Sequence, residues 1–121
     1  MPSVSSIEEA SGLLAAAHAE GRRCRIGDDL TTGGLDRILE HETGDLTCTV
    51  EAGVRLSTLN AALARAGQRL SLDPPGDPTI GACLAGNLSG PLRHRFGAPR
   101  DLVLGVTLVL ADGTIVNAGG K

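Results

Sequence analysis

The chain has 121 residues, of which 41% are apolar, and it carries a formal net charge of -3 and a single aromatic residue. This length suits one domain with a core of Leu, Val, Ile and Ala. The lack of a basic stripe and of stacking aromatic rings argues against nucleic-acid binding, and no apolar segment approaches the ~20 residues of a membrane helix.

The cysteines and histidines indicate no special chemistry. Cys24, Cys48 and Cys83 are widely spaced and form no Cys-x-x-Cys pair, so we expect reduced structural thiols. The three histidines are equally scattered, and no metal site is predicted. The start of the chain turns polar and acidic at once, unlike a secretory signal, and the predicted location is the cytoplasm.

The first predicted element is a helix within residues 5–21, "SSIEEASGLLAAAHAEG". Either Ser5 with Glu8 or Ser6 with Glu9 has capping-box spacing, and Gly21 is a stop signal. Residues 22–26 are predicted to form a short strand and residues 27–34 a loop. Residues 36–40 fit a short strand and a helical turn equally well.

The middle of the chain predicts a strand, a helix and a second strand. Apolar and polar residues alternate over 46–53, which is typical of a half-buried strand. Ser57 is the expected N-cap of a helix that ends at Gly67, and residues 68–72 follow as a strand. This order favours an α/β arrangement.

The last third predicts a hairpin. Residues 102–110 are almost continuously apolar, which indicates a strand buried on both faces. Asp112-Gly113 is a strong two-residue turn signal, and residues 114–117 are the expected returning strand. An apolar strand of this kind at an open edge also suggests an interaction domain that pairs with another subunit.

The glycine-rich stretch 73–90, "DPPGDPTIGACLAGNLSG", exposes backbone with little side chain over it. Such loops form anion sites, because their N–H dipoles converge. A basic cluster follows, formed by Arg93, His94, Arg95 and Arg100. An irregular loop with solvated arginines is the equally weighted alternative. Asp73 and Asp77 are expected to stabilise turns, and Glu51 is expected to be solvated.

The order "VEAG", a leucine-spaced helix, "DPPGDPTIG", "SGP", an aromatic-Gly pair, "RDLVLGV" and "LADGT" resembles a known family. It is similar to the FAD-binding domain of the vanillyl-alcohol oxidase / p-cresol methylhydroxylase (PCMH) type. Within that family the resemblance is strongest to the FAD-binding subunit of glycolate oxidase. It covers roughly residues 35–120 and implies FAD as cofactor, which would carry the redox chemistry.

The resemblance also implies a site and a fold. The matching segments place the cofactor against Pro78, Thr79, Ile80, Gly81, Asn87, Ser89, Gly90, Arg95, Phe96 and Gly97, largely through backbone, which would explain the glycines by close approach of the ligand. No catalytic residue is implied. The expected fold is α+β with α/β-like lobes, a partial domain with lobe one over about 1–73 and the start of lobe two over about 74–121.

The implied function is the FAD-binding portion of a flavin-dependent oxidoreductase of 2-hydroxy acids that does not turn over alone. Its expected partners are other subunits of an oxidase complex, or further copies joined through strand edges. The family has a second glycine-rich loop, whereas this chain has the short "RIGDDLTTGGLDR" with Asp28 and Asp29. This departure keeps open the alternative of a cofactor-free remnant or subunit-interaction domain that retains the fold.

Overall fold

The computed structural model describes residues 2–120 as five helices and two antiparallel hairpins. The elements are α1 (Ile7–Ala19), β1 (Ile38–Glu42), β2 (Thr47–Val50), α2 (Leu56–Ala64), α3 (Ile80–Gly86), α4 (Arg93–Phe96), α5 (Pro99–Leu102), β3 (Gly105–Val109) and β4 (Ile115–Gly119). The α+β prediction is confirmed. Within these residues no helix is both long and apolar enough to cross a bilayer.

The chain forms two compact units. The first, called the outer unit here, combines the chain up to Leu35 with the chain from Val103 onward. The second, called the central unit, comprises Asp36–Leu102. The predicted division into a first lobe over about 1–73 and the start of a second lobe over about 74–121 stays a prediction.

In the outer unit, α1 begins as the capping signal predicts. The Ser6 hydroxyl accepts a hydrogen bond from the Glu9 amide at 3.1 Å, which selects the second of the two capping alternatives. Gly21 ends the helix with a φ of 65°. Leu14 packs with Val4, Leu30 and the rest of a small apolar core, against which Val109 of β3 also lies.

The β3–β4 hairpin is confirmed, but its turn is one residue longer than the predicted two. The Leu110 amide donates to the Thr114 carbonyl at 2.8 Å, so residues 111–113 form the loop, and Gly113 has a φ of 93°. The Ser11 hydroxyl donates to the Gly113 carbonyl oxygen at 2.6 Å, so the turn is fixed to α1.

Two strand predictions in the outer unit are wrong. Residues 22–26 form no regular strand, because the Asp29 carboxylate accepts the Arg25 amide and closes the loop on itself. The strand expected over 102–110 begins only at Gly105, after helix α5. It is not buried on both faces, since Leu104 is 63% and Leu108 46% exposed.

The central unit contains the β1–β2 hairpin and α2. Of the two alternatives for residues 36–40, a short strand or a helical turn, the structure shows a strand that begins at Ile38, which lies opposite Val50. Leu59 and Leu63 of α2 are buried together with Val54 and form the core of this unit. Gly67 ends the helical segment with a φ of 70°, as predicted.

Three further expectations for the central unit are wrong. Residues 68–72 form no strand, because the Leu70 amide donates to the Asn60 side chain at 2.8 Å instead of to a neighbouring strand. The predicted strand–helix–strand unit is therefore absent from residues 46–72. Arg55, not Ser57, is the N-cap of α2.

Glu51 is not solvated: its side chain is 9% exposed. It accepts hydrogen bonds from Nε of Arg37 at 2.9 Å and from Nη2 at 3.1 Å. This paired geometry holds the pKa of Glu51 below its ordinary value, the side-chain hydrogen bond from Arg37 being the largest cause.

Candidate functional site

The glycine-rich stretch is an ordered path through the central unit. Thr79 forms an antiparallel bridge with Arg55, after which the chain enters α3. Asn87 ends α3 in the left-handed conformation, at φ 50° and ψ 45°. The chain then passes through Ser89 and Gly90 into α4 and α5. The alternative of a plain irregular loop is wrong for Ile80–Gly86, which form α3, while residues 73–78 and 87–90 are irregular and the arginines that follow are exposed.

Thr79 presents an unpaired backbone donor. On either side of it, the Leu56 amide donates to the Pro78 carbonyl and the Ile80 amide donates to the Val54 carbonyl. Thr79 thus occupies the non-hydrogen-bonded position of the bridge, where its own N–H points away from the paired strand. Within residues 2–120 this N–H has no acceptor. The Thr79 hydroxyl accepts from the Ala82 amide at 3.2 Å and caps α3.

Ile80 and Gly81 are held by the protein interior. Ile80 packs against the core of the central unit. The Gly81 amide donates to the Ala52 carbonyl at 2.8 Å, and a Cβ at Gly81 would lie 2.9 Å from Cβ of Ala52. The bare backbone at Gly81 therefore serves a close approach to the chain itself, whereas the sequence-based explanation assigned it to the cofactor.

Ser89 and Gly90 form the second donor segment. Both are half-buried, and in the part of the chain that the structure describes neither amide N–H has an acceptor. A Cβ at Gly90 would overlap the carbonyl oxygen of Asp73. Only glycine lets the segment lie this close to Asp73, while its N–H groups stay available to a ligand.

The basic cluster follows on exposed short helices. The Arg95 guanidinium lies 5.3 Å from the centre of the Phe96 ring, which is a cation–π contact. Phe96 is 38% exposed. Gly97 ends α4 with a φ of 94°, and a Cβ there would lie 2.8 Å from Cβ of Asp101. The implied residues Arg95, Phe96 and Gly97 thus form one continuous turn, in which Arg95 and Phe96 are exposed and Gly97 is half-buried.

Two carboxylates near the site have roles that the sequence did not predict. Asp77 accepts hydrogen bonds from both the amide and the hydroxyl of Ser57, at 2.9 and 2.6 Å. Asp73 accepts from the Leu92 amide at 3.0 Å. Their hydrogen-bond partners lie about 20 residues away along the chain. The only sign of these roles in the sequence is the repeated Asp-Pro dipeptide in "DPPGDP".

The loop with Asp28 and Asp29 is closed around Arg25. The Asp29 carboxylate accepts the Arg25 amide at 2.7 Å, and the Asp28 carboxylate lies 4.0 Å from the Arg25 guanidinium. One cation therefore offsets part of the negative charge of this loop. This is the loop that departs from the family pattern.

A cleft of about 390 Å³ elsewhere in the central unit contains none of the implied cofactor residues. Its polar side includes His41, whose Nε2 lies 2.9 Å from Oε1 of Gln68. Burial raises the pKa of the Cys48 thiol in its lining, which disfavours the reactive thiolate.

The arrangement over residues 78–97 suits a flat ligand that carries phosphates. It offers the free amides of Thr79, Ser89 and Gly90, and the exposed guanidinium of Arg95 beside an aromatic ring. It offers no clustered metal ligands among residues 2–120. The residues present therefore fit the pyrophosphate and ring of a dinucleotide.

Comparison with known proteins agrees with this chemistry. The family model for an FAD binding domain matches residues 27–119. The mitochondrial D-lactate dehydrogenase [cytochrome] 1 of Saccharomyces cerevisiae is 35% identical over 95 residues, which cover 76% of this chain and 16% of the relative. The glycolate oxidase subunit GlcE of Escherichia coli is 36% identical over 87 residues, which cover 69% of this chain and 25% of that subunit.

A solved structure shows the same fold. The glucooligosaccharide oxidase of Acremonium strictum, described with 6-S-cysteinyl, 8α-N1-histidyl FAD, superposes with a TM-score of 0.82 at 20% identity. The match covers 98% of this chain and 29% of that enzyme. The chain thus spans about a sixth and a quarter of the two curated relatives. On the family match and these relatives together, the chain belongs to the FAD binding domain family of PCMH-type flavoproteins, and FAD is its cofactor.

Proposed function

We propose that this FAD-binding domain serves the oxidation of a 2-hydroxy acid by a flavin-dependent oxidoreductase, and that it does not turn over substrate alone. The supporting observation is the donor-rich path over residues 78–97, with three free backbone amides and an exposed cation. Two relatives are named for D-lactate and glycolate, which are both 2-hydroxy acids.

The proposed cofactor residues all lie in the segments that the family resemblance places against FAD; they are Pro78, Thr79, Ile80, Gly81, Asn87, Ser89, Gly90, Arg95, Phe96 and Gly97. In this proposal the amides of Thr79, Ser89 and Gly90 bind phosphate oxygens, and Arg95 neutralises their charge. Bound FAD supplies the redox chemistry, and the chain binds and orients it.

The test is a titration of the purified chain with FAD, followed by calorimetry and by quenching of flavin fluorescence. We expect saturable binding at one FAD per chain and much weaker binding of riboflavin, which lacks the pyrophosphate. Arg95→Gln should raise the Kd for FAD about tenfold, the size of one charged hydrogen bond. Arg65→Gln, at the exposed end of α2, is the matched control.

Each outcome separates the alternatives. Absence of saturable FAD binding by the wild-type chain would favour a cofactor-free domain that keeps the fold. Equal affinities for FAD and riboflavin would show that the pyrophosphate contributes nothing to binding, which would contradict phosphate binding by the amides of residues 79–90. Equal effects of Arg95→Gln and Arg65→Gln would mean that general charge, not a contact at Arg95, drives binding.

A second role, association with another subunit or another copy, is supported by the β3–β4 hairpin. Alternation along the strands places Val106, Leu108 and Val116 on one face. Leu108 is 46% exposed on that face, and Leu104 just before the strand is 63% exposed. Leu108→Glu should abolish any dimer or complex seen by sedimentation velocity, while a wild-type chain that is monomeric at high concentration would contradict this role.

We place the protein in the cytoplasm. The support is the state of Cys24, Cys48 and Cys83, which are all free thiols, as expected in a reducing compartment. Fractionation of cells that express the full-length protein is the test, and recovery from an oxidising compartment would contradict the placement.

A further inference from the structure

Asp77 connects the start of the proposed cofactor site to α2. Its Oδ1 accepts the Ser57 amide at 2.9 Å, and its Oδ2 accepts the Ser57 hydroxyl at 2.6 Å. The carbonyl of the same residue accepts a hydrogen bond from the Arg55 guanidinium at 2.8 Å. Three hydrogen bonds therefore fix Asp77, which lies two positions before Thr79. Thr79 is the residue that carries the free amide.

Asp73 holds the second donor segment in a comparable way. Its Oδ1 accepts the Leu92 amide at 3.0 Å, while its backbone carbonyl oxygen occupies the space that a Cβ on Gly90 would need. The carboxylate and the carbonyl of one residue thus contact both ends of the Gly90–Leu92 segment. Gly90 lies at this contact and Ser89 directly precedes it, and these two residues carry the free amides.

We propose that Asp73 and Asp77 are positioning residues for FAD: they hold the free amides of Thr79, Ser89 and Gly90 in the geometry that receives the cofactor. This inference rests on the proposed cofactor role of residues 78–97. It assigns to two carboxylates a purpose beyond local turn formation, and it requires no direct contact between either carboxylate and the anionic cofactor.

The physical reason lies in the donors themselves, because the N–H groups of Thr79, Ser89 and Gly90 make no hydrogen bond within residues 2–120. Thr79 is also held by its bridge to Arg55, whereas Asp73 and Asp77 add bonds to ionised acceptors, which are short and strong, close to each donor. Without the carboxylates, binding would have to order these segments, and that cost would appear as lost affinity. The Ser57 hydrogen bonds lower the pKa of Asp77, consistent with a carboxylate that stays ionised at neutral pH.

The experiment compares Asp73→Ala and Asp77→Ala with Asp73→Asn and Asp77→Asn. Asparagine retains one oxygen acceptor and removes the charge. Asp45→Ala, in the exposed β1–β2 turn, is the control for loss of a carboxylate. Two quantities are measured at a temperature where every variant is folded: the Kd for FAD, and the NMR order parameters of the amides of Thr79, Ser89 and Gly90.

We expect each alanine variant to raise the Kd about tenfold and to lower the order parameters from ~0.85 towards ~0.6. The asparagine variants should fall between alanine and wild type, because they keep one oxygen acceptor and lose the charge that strengthens its hydrogen bonds. Asp45→Ala should retain both values nearly unchanged. Alanine variants that melt earlier but keep wild-type Kd and order parameters would overturn the proposal, because the carboxylates would then be structural caps only.

Two further outcomes, an alanine variant that does not fold and a wild-type chain that binds no FAD, also decide the proposal. If Asp77→Ala does not fold, Asp77→Asn and Ser57→Ala both weaken the bonds between Asp77 and Ser57, and a Thr79 order parameter equal to wild type in both variants would overturn the role of Asp77. Asp73→Asn tests Asp73 in the same way, since order parameters of Ser89 and Gly90 that equal those of wild type would show that the charged hydrogen bond to Leu92 does not position them. If the wild-type chain binds no FAD, the proposed function fails, and the order parameters alone decide whether the carboxylates hold the amides.

Discussion

Gly81 and Ala52 approach each other so closely that no side chain fits between them. The Gly81 amide donates to the Ala52 carbonyl at 2.8 Å, and a Cβ on Gly81 would stand 2.9 Å from Cβ of Ala52 and 3.1 Å from its carbonyl oxygen. Both partners are backbone or a methyl group, so neither can rotate away. This contact fixes the first turn of α3 against the turn that follows β2.

Gly81→Ala is therefore expected to destabilise the central unit by about 1–3 kcal/mol, the usual cost of an added methyl group in a packed site. Urea unfolding followed by circular dichroism measures the change. Gly44→Ala is the matched control, because nothing lies within 4 Å of a Cβ at that position, and its effect should stay within about 0.5 kcal/mol. A tolerated Gly81→Ala would mean that α3 can shift.

Gly12 presents the opposite situation. It lies inside α1, its φ is not positive, and a Cβ there would meet nothing within 4 Å. Glycine in a helix interior costs about 0.5–1 kcal/mol relative to alanine, so Gly12→Ala should stabilise the chain by that amount. Ala16→Gly, the reverse exchange at an exposed position of the same helix, should destabilise it by a similar amount. Two changes of the same sign would contradict the expectation.

Local signals in the sequence predicted the elements that local contacts stabilise. The Ser6–Glu9 cap is a contact over three residues, and the turn at Gly113 depends on the conformation of that glycine. The strand expected over residues 68–72 failed because a side chain ten residues away, Asn60, takes the Leu70 amide. No periodicity in the sequence reveals such a competitor.

The candidate site shows the same limit. Its segments follow from the family resemblance, but the reason for its glycines does not. Gly81 and Gly90 are bare because Ala52 and Asp73 approach them, and these contacts span 29 and 17 positions of the chain. Sequence reasoning also assigned Ser57 to a local cap, whereas its hydroxyl donates to Asp77. Contacts between distant segments decide each of these cases.

The Arg37–Glu51 pair predicts a pH dependence of stability. The pKa of Glu51 is lowered from 4.5, mainly by the side-chain hydrogen bond from Arg37. A carboxyl whose folded-state pKa is depressed contributes stability that is fully present above its unfolded pKa and is lost as the pH falls through the lowered value. Glu51→Gln should therefore be less stable than wild type at pH 7.

The measurement for Glu51 is a series of urea unfolding curves from pH 7 down to pH 3. The gap between wild type and Glu51→Gln should narrow below about pH 4.5, as wild type loses the contribution of the ionised pair. Glu42→Gln, on an exposed strand position, is the control. A gap that stays constant over the whole range would show that Glu51 acts through packing and not through its charge.

Thr79 offers a way to separate the cap of α3 from the binding of FAD. Its hydroxyl accepts the Ala82 amide at 3.2 Å, while its own amide is free for a ligand in the part of the chain that the structure describes. Thr79→Ala should cost about 1 kcal/mol of stability through loss of the cap, and Thr79→Ser should retain most of it. Because both variants keep the backbone N–H, both should bind FAD with nearly the wild-type Kd at a temperature where they are folded. A large loss of affinity in Thr79→Ala that Thr79→Ser restores would move the FAD contact from the Thr79 amide to its hydroxyl.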